Sequence, residues 1–391
     1  MAIISEKTRK FISGRCGQMK RIEAECGGVE NIVWVHSASY GEFEEARPVI
    51  EELRKLSPEI KVLATFFSPS GYEYLKDDPI ADFVYYLPLD TPWNVKRFLD
   101  AVRPVKVIIS ISDFWLCFLS GLRRRSIPTY LISACFNEKQ FYFKPLGFPY
   151  RNAFRNCFKK IVVRDENSLN LLKSIGAENG IIVGDPRMDR VVEIASEVWS
   201  DPVLDRWAKG AARVFVAGSV LPDEDEVVIS DLVNSHPGDK FLIVPHEIGD
   251  KDVESIREKI KGRCEVYTRL TDGYENAQVL IINTVGMLAK VYRYGFAAYV
   301  GSGFDCSPHS IIEPAAYGIP VSYGPKFGSY CHCQGLIDAG GGRSISNSAE
   351  LAAWYDALVA DKAALDAAGK ASRDYCVTGS GVSRAIAKEI L

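Results

Sequence analysis

A glutamate stands where a strand must become a helix. The stretch "VWVHSASYGEFEEARPVI", residues 33–50, begins as an apolar strand and then brings His36, Ser37, Ser39, Gly41 and Glu42 to the turn. In the first turn of a helix a carboxylate is stabilised by the partial positive charge of the helix N-terminus. One that faces a ligand cleft also takes a proton from a substrate hydroxyl. The same spacing describes a capping box, with Ser39 as N-cap and Glu42 three residues later, and the local pattern leaves both roles open. Gly41 is expected to relieve the tight turn. Asp113, which follows "KVIISIS" and precedes an apolar helix, is either a second carboxylate at a strand end or an N-cap. Lys139, Lys144, Arg151 and Arg155 stand among aromatic residues in "CFNEKQFYFKPLGFPYRNAFR", which reads as a surface for a phosphate-bearing acceptor or as a solvated helix face.

The second half of the chain carries turns of small residues instead. "AGSVLPDEDE" presents Gly218 and Ser219, "VPHE" presents His246, and "NTVGML" presents Asn283, Thr284 and Gly286. Each follows an apolar run and opens a helical pattern, the setting in which backbone amides and the helix dipole hold a phosphate. In "GSGFDCSPHSIIEPAAYGIPVSYGP", Ser310 and Glu313 are placed on the first turn of a short helix closed by Gly318 and Pro320. A carboxylate there suits a ribose diol. None of these turns is a Walker loop, and "GSGFD" is only a fragment of the dinucleotide fingerprint, so NAD is set aside.

The elements that must position these residues alternate between strand and helix. "NIVWVHSA", "KVLATFF", "DFVYYLPL", "KVIISIS", "PTYLISA", "KKIVVRD" and "GIIVGDP" read as strands of a first series. "RVFVAGS", "KFLIVPH", "CEVYTRL", "AQVLIINT", "FAAYVGS", "PVSYGP" and "GRSISN" form a second. Runs this continuously apolar are covered on both faces, which predicts mostly parallel sheets. The fold class is therefore α/β, with two doubly wound Rossmann-like domains facing a cleft. The expected boundaries are 1–190 for the first domain, 191–212 for a linker and 213–391 for the second, with the last helix packing on either domain. Ligands of open parallel sheets sit beyond the carboxyl ends of the strands, where all the residues singled out above stand.

Hydrophobic residues make up 47% and charged residues 25% of the 391, a globular composition without a membrane-spanning run. The net charge of −3 gives no global attraction to nucleic acid. Ten scattered cysteines read as reduced thiols, and the "CHC" of Cys331 to Cys333 lacks the paired spacing of a zinc site. After "MAII", the segment holding Lys7, Arg9, Lys10, Arg15, Lys20 and Arg21 has no acid beyond Glu6. It reads as a solvated helix or as a segment lying against anionic lipid, where each basic residue contributes ~1 kcal/mol.

Together these motifs resemble the 3-deoxy-D-manno-octulosonic acid (Kdo) transferases of lipopolysaccharide synthesis, which have the glycosyltransferase B fold. "VWVHSASYGEFEEARPVIEELR", "PTYLISACF", "VRDENSLNLLKSIGA" and "HSIIEPAAYGIPVSYGP" carry the likeness in the family's order, and it spans nearly the whole chain. The resemblance implies inverting, metal-independent transfer of Kdo from CMP-Kdo to a lipid A precursor, with no cofactor, at the cytoplasmic face of the bacterial inner membrane. It implies peripheral binding to that anionic surface, or an N-terminal anchor that this sequence lacks. Glu42 becomes the general base, Ser39, Gly41, Asp113, Lys139 and Lys144 the acceptor side, and Gly218, Ser219, His246, Thr284, Gly286, Ser310 and Glu313 the CMP-Kdo side, with the cleft closing to exclude water. The chain departs from the family at Ser310, usually asparagine, at Asp113, often glutamate, and at Asn283, where an aspartate is common. The rival readings are an epimerase or transferase of the same architecture using a UDP-sugar, and a non-catalytic sugar-nucleotide binding protein.

Overall fold

The computed structural model describes residues 6–222, 224–328 and 330–391, with side chains from residue 8 onward, so "MAII" and the side chain of Lys7 lie outside the described residues. Seven strands, β1 (Ile32–Ser37), β2 (Lys61–Phe66), β3 (Phe83–Tyr86), β4 (Lys106–Ser110), β5 (Thr129–Ala134), β6 (Lys160–Val163) and β7 (Gly180–Ile182), form one sheet in the order β3-β2-β1-β4-β5-β6-β7. Every neighbouring pair is parallel. Alternation along β1 sends Ile32 and Trp34 into a core with Phe98 and Phe118, and Val33 and Val35 into a second core with Phe43 and Val49 on the other face. Burial on both faces is why the strand reads as an unbroken apolar run.

The second sheet contains β8 (Val214–Val220), β9 (Lys240–Pro245), β10 (Cys264–Val266), β11 (Val279–Ile281), β12 (Ala297–Val300), β13 (Val321–Tyr323) and β14 (Gly342–Ser344). Its order is β10-β11-β9-β8-β12-β13-β14, again all parallel. The chain reverses its direction of travel across the sheet between β1 and β4 in the first unit and between β8 and β12 in the second. Those are the switch points at which loops part and ligands enter.

One compact unit contains residues 1–189 and 380–391, the other 190–379. The stretch expected as a linker, 191–212, is largely helical: Arg187–Ser196 spans the junction, and Pro202–Ala208 buries Leu204 and Trp207 fully in the second unit. The last helix, Val382–Ile390, returns to the first unit, where Val382, Ile386, Ala387 and Ile390 join the core beneath β1. Asp189 caps it, accepting from the amides of Gly381 and Ser383.

The basic segment is part of the fold as well as of the surface. Helices Glu6–Ser13 and Gln18–Cys26 pack on the first unit, and Arg15 between them is half-buried. Its guanidinium donates to the carbonyls of Leu87, Phe11 and Phe67 at 2.9–3.1 Å and lies over the Phe11 ring. Burial pulls it down to about 10. Arg15 is thus a clamp and not a free surface charge.

Candidate functional site

Glu42 lies in the first turn of helix Tyr40–Leu56, at the carboxyl end of β1. Its Oε2 accepts from the Ala38 amide at 2.6 Å, one residue before the N-cap, while the Ser39 side chain makes no cap hydrogen bond. The expected capping box is therefore not formed: the carboxylate closes the turn alone. Ser110, at the end of β4, anchors the backbone by donating to the Glu42 carbonyl at 2.8 Å. Burial pushes the Glu42 carboxyl above its ordinary value of 4.5, and the charge of Asp113 pushes the same way, against the Ala38 amide and His36. A raised carboxylate is a stronger base.

Gly41 has an ordinary negative φ, so it does not relieve a strained turn. A Cβ there would meet nothing within 4 Å, and the position is exposed. Its bareness leaves open space one residue from the carboxylate.

Asp113 is not a cap either. The next helix, Leu116–Arg124, is capped from another loop by Asp90, whose oxygens accept from the amides of Cys117 (3.0 Å) and Phe118 (2.9 Å). Asp113 instead faces the buried His36, with Oδ2 3.0 Å from Nε2. Tyr142 closes the cluster, its phenol donating to the Ser112 carbonyl at 3.4 Å and shifted upward by burial first and then by neighbours that include Asp113 and Glu42. Lys139 and Lys144 are exposed on the loop after β5. Phe141, Leu146 and Phe148, on the same stretch of chain, are exposed as well. A cavity of ≈ 560 Å³ opens beside Phe148, lined also by Arg123, Arg151 and Arg155.

In the second unit β11, β9, β8 and β12 are consecutive neighbours, so their carboxyl-end loops share one edge. Gly218 lets the Tyr292 hydroxyl approach: a Cβ there would lie 2.0 Å from it. Ser219 and Ser302, at the ends of β8 and β12, both hold left-handed backbone, with φ 53° and 80°. Such conformations cost a non-glycine residue roughly 1–2 kcal/mol and persist where the surroundings enforce them. The buried Asp225 braces this edge: it accepts from the amides of Leu221 (3.1 Å) and Ser302 (2.8 Å) and from the Tyr299 hydroxyl (2.5 Å). Burial still raises its carboxyl.

His246, after β9, is exposed and stacks on His309 at 4.5 Å with 21° between the rings. His309 is held in place by its amide, which donates to Gly301. Burial, then the neighbouring His246, lower it to about 4, so it stays neutral. Gly286 adopts left-handed φ 84°, as its turn requires, while the Thr284 hydroxyl turns to the Met287 sulfur at 2.8 Å. Asn283 is engaged with Thr268 through two hydrogen bonds. Glu313 lies in helix Ile312–Ala316, half-exposed, whereas Ser310 precedes that helix instead of opening it. The roles of His36, Asp225, Ser302 and His309 went unassigned in the sequence. Paired "AGS" and "VGS" strand ends were the available signal for Ser302, and "SPHS" for His309.

Among the described residues no three His, Cys, Asp or Glu side chains gather to hold a metal ion. No helix among them is long and apolar enough to cross a membrane.

Two doubly wound parallel sheets with polar, strained carboxyl edges define the glycosyltransferase B type of fold. Solved structures agree on the fold: the UDP-GlcNAc 2-epimerase from Neisseria meningitidis aligns with TM-score 0.66 and 15% identity over 91% of this chain and 98% of its own. A putative UDP-N-acetylglucosamine 2-epimerase from Listeria monocytogenes aligns with TM-score 0.63 and 14% identity over 91% and 94%. The sequence narrows the class. The family model for 3-deoxy-D-manno-octulosonic-acid transferase (kdotransferase) matches residues 10–190. Proteins named 3-deoxy-D-manno-octulosonic acid transferase align from Aquifex aeolicus, at 26% identity over 84% of this chain and 86% of the relative, and from Haemophilus influenzae, at 24% over 89% and 84%. A probable mitochondrial one from Arabidopsis thaliana is 25% identical over 88% and 80%. Over most of its length the chain is similar to proteins named as Kdo transferases, and over residues 10–190 to the model of that family.

Proposed function

We propose that this protein transfers Kdo from CMP-Kdo to a sugar hydroxyl of a lipid A precursor. The observation that carries the reading is Glu42: a half-buried carboxylate at a helix N-terminus, pushed toward basicity, with bare space at Gly41 beside it. In the reaction the acceptor hydroxyl attacks the anomeric carbon, its proton passes to Glu42, and the bond from that carbon to the CMP phosphate oxygen breaks. A single displacement of this kind inverts the anomeric centre. Negative charge develops on the departing CMP, where fixed amides and an imidazole N–H are worth most. Gly218, Ser219, His246, Thr284, Gly286, Ser310 and Glu313 are assigned to the donor, with Ser219 and the turn at Gly286 offering amides and Glu313 suited to the ribose.

Ser39, Gly41, Asp113, Lys139 and Lys144 are assigned to the acceptor. The exposed Phe141, Leu146 and Phe148 beside Lys139 and Lys144 fit an anionic inner-membrane surface approached from the cytoplasm. With Arg15 occupied in the fold, this loop is a better membrane contact than the basic segment alone.

Mass spectrometry of a lipid A precursor incubated with the protein and CMP-Kdo tests the reading: a product heavier by one or more Kdo residues supports it. Turnover of a UDP-sugar in its place would favour the epimerase-like rival, and CMP-Kdo binding without any product would favour a binding protein.

A further inference from the structure

We infer that His36 is a positioning residue, which holds Asp113 through an Nε2–H hydrogen bond so that the proton taken in the reaction goes to Glu42 alone. The inference rests on the assignment of Glu42 as base. Its geometry is a directed chain of hydrogen bonds. The Trp34 indole, a donor only, gives its proton to Thr65 Oγ1 at 2.7 Å. Thr65 Oγ1 lies 2.9 Å from His36 Nδ1, and the Thr65 carbonyl lies 3.1 Å from the same nitrogen. His36 Nε2 lies 3.0 Å from Asp113 Oδ2.

Two protonation states place Nε2–H against Asp113, and of these only the imidazolium also gives the Thr65 carbonyl a donor. In the neutral ring the Thr65 hydroxyl donates to Nδ1 and Nε2–H donates to Asp113. In the imidazolium, Nδ1–H donates to Thr65 and Nε2–H again donates to Asp113. A neutral ring protonated on Nδ1 would set a lone pair against the carboxylate. With His36, Thr65 and Trp34 all buried, the ring has no room to turn away.

The consequence concerns the pair of carboxylates. Two carboxylates that share a site tend to share one proton, which would leave the base partly occupied. The Nε2–H bond takes up the Asp113 oxygen and leaves its charge directed at Glu42. Groups facing Glu42 are His36 from β1, Asp113 from the loop after β4, Glu45 from its own helix, and Tyr142 from the loop after β5. Glu45 is itself paired with Arg164 and Arg187.

Glutamine places a side-chain N–H near where Nε2 stands, and leucine does not, so His36→Gln and His36→Leu separate donation from volume. The first readout is the ¹³C titration of the Glu42 carboxyl, assigned by its disappearance in Glu42→Gln; it needs no substrate. His36→Leu is expected to let Asp113 take the proton first and so to move that midpoint, and the acid limb of kcat/KM, downward by at least about half a pH unit, while His36→Gln stays near the parent. In an Asp113→Asn background the leucine change is expected to have little further effect. A leucine variant whose midpoint is unchanged, or a glutamine variant displaced as far as leucine, overturns the inference. If His36→Leu does not fold, ¹⁵N spectra of the parent decide: a proton on Nε2 is expected, and a ring protonated on Nδ1 alone refutes it. Failure of Kdo transfer with the expected midpoints would count against the Glu42 reading and leave the hydrogen bond standing.

Discussion

The Glu42 carboxylate lies 2.6 Å from the amide nitrogen of Ala38, outside the reciprocal pair with Ser39 that its spacing describes. One oxygen closes the turn, and the half-buried side chain stays at the carboxyl edge of the sheet. Glutamine offers the same acceptor to Ala38 and no basic lone pair of comparable strength. Glu42→Gln is therefore expected to keep the melting temperature within a degree or two and to lower transfer about 10² to 10⁴-fold, with CMP affinity unchanged. Parent-like transfer by a folded variant would return Glu42 to a turn-closing role.

Protonation gives the same residue a second test. Its folded pKa is raised above the ordinary 4.5, chiefly by burial. An acid raised in this way costs stability once ionised, so that cost grows as pH rises through the interval from 4.5 to the folded value. The difference in melting temperature between Glu42→Gln and parent is expected to shift in favour of the variant across that interval. The acid limb of kcat/KM should fall above 4.5 as well.

His309 titrates with the opposite sign. Its pKa is depressed from 6.5 to about 4, so the unfolded chain binds the proton first, and stability is lost as pH falls from 6.5 toward 4. The loss is bounded at ~3 kcal/mol. His309→Asn is expected to flatten the pH dependence of thermal stability in that window, measured with and without CMP, and to weaken CMP because His246 loses the ring it stacks on. A parallel pH dependence in variant and parent would show that His309 does not carry it.

Strain at the carboxyl edge of the second sheet predicts a trade between stability and binding. Ser219 and Ser302 sit in left-handed backbone that glycine adopts freely. Ser219→Gly is expected to raise stability by about 0.5–1 kcal/mol in chemical denaturation and to weaken CMP binding if its hydroxyl meets the phosphate. Ser302→Gly, away from any assigned contact, should give the gain without the loss. Equal effects on CMP affinity would remove the distinction between them.

The strands were legible because each is a short apolar run, covered on both faces and ended by small or polar residues. All fourteen occur where those runs predict them. "CEVYTRL" yields only Cys264–Val266 before a 3-10 turn, because its polar second half has no sheet neighbour to pair with. Pairing across distance was not legible. His36 and Asp113 are 77 residues apart, and Asp90 caps a helix 27 residues away. Local spacing therefore offered Asp113 and Ser39 as caps, and the structure gives that work to Asp90 and Glu42. The left-handed Ser302 carries no residue-level signal, since its amide is held by Asp225, 77 residues away.

The last helix joins the end of the chain to the helix that bears Glu42. Val382, Ile386, Ala387 and Ile390 pack in the core that also holds Phe43, Ala46 and Val49 of the helix bearing Glu42. Asp189 fixes its start, and Lys160 pairs with Glu389 near its end. Removing the cap through Asp189→Ala is expected to cost ~1 kcal/mol, and Ile386→Ala, which opens a cavity in a fully buried site, about 2–5 kcal/mol. Because the helix belongs to the first unit, hydrogen exchange should accelerate in β1 and in helix Tyr40–Leu56 and remain at parent rates in β8, β9 and β12. Transfer is then expected to fall while CMP still protects the second unit. Faster exchange confined to residues 214–345 would place the helix with the other sheet and sever its link to Glu42.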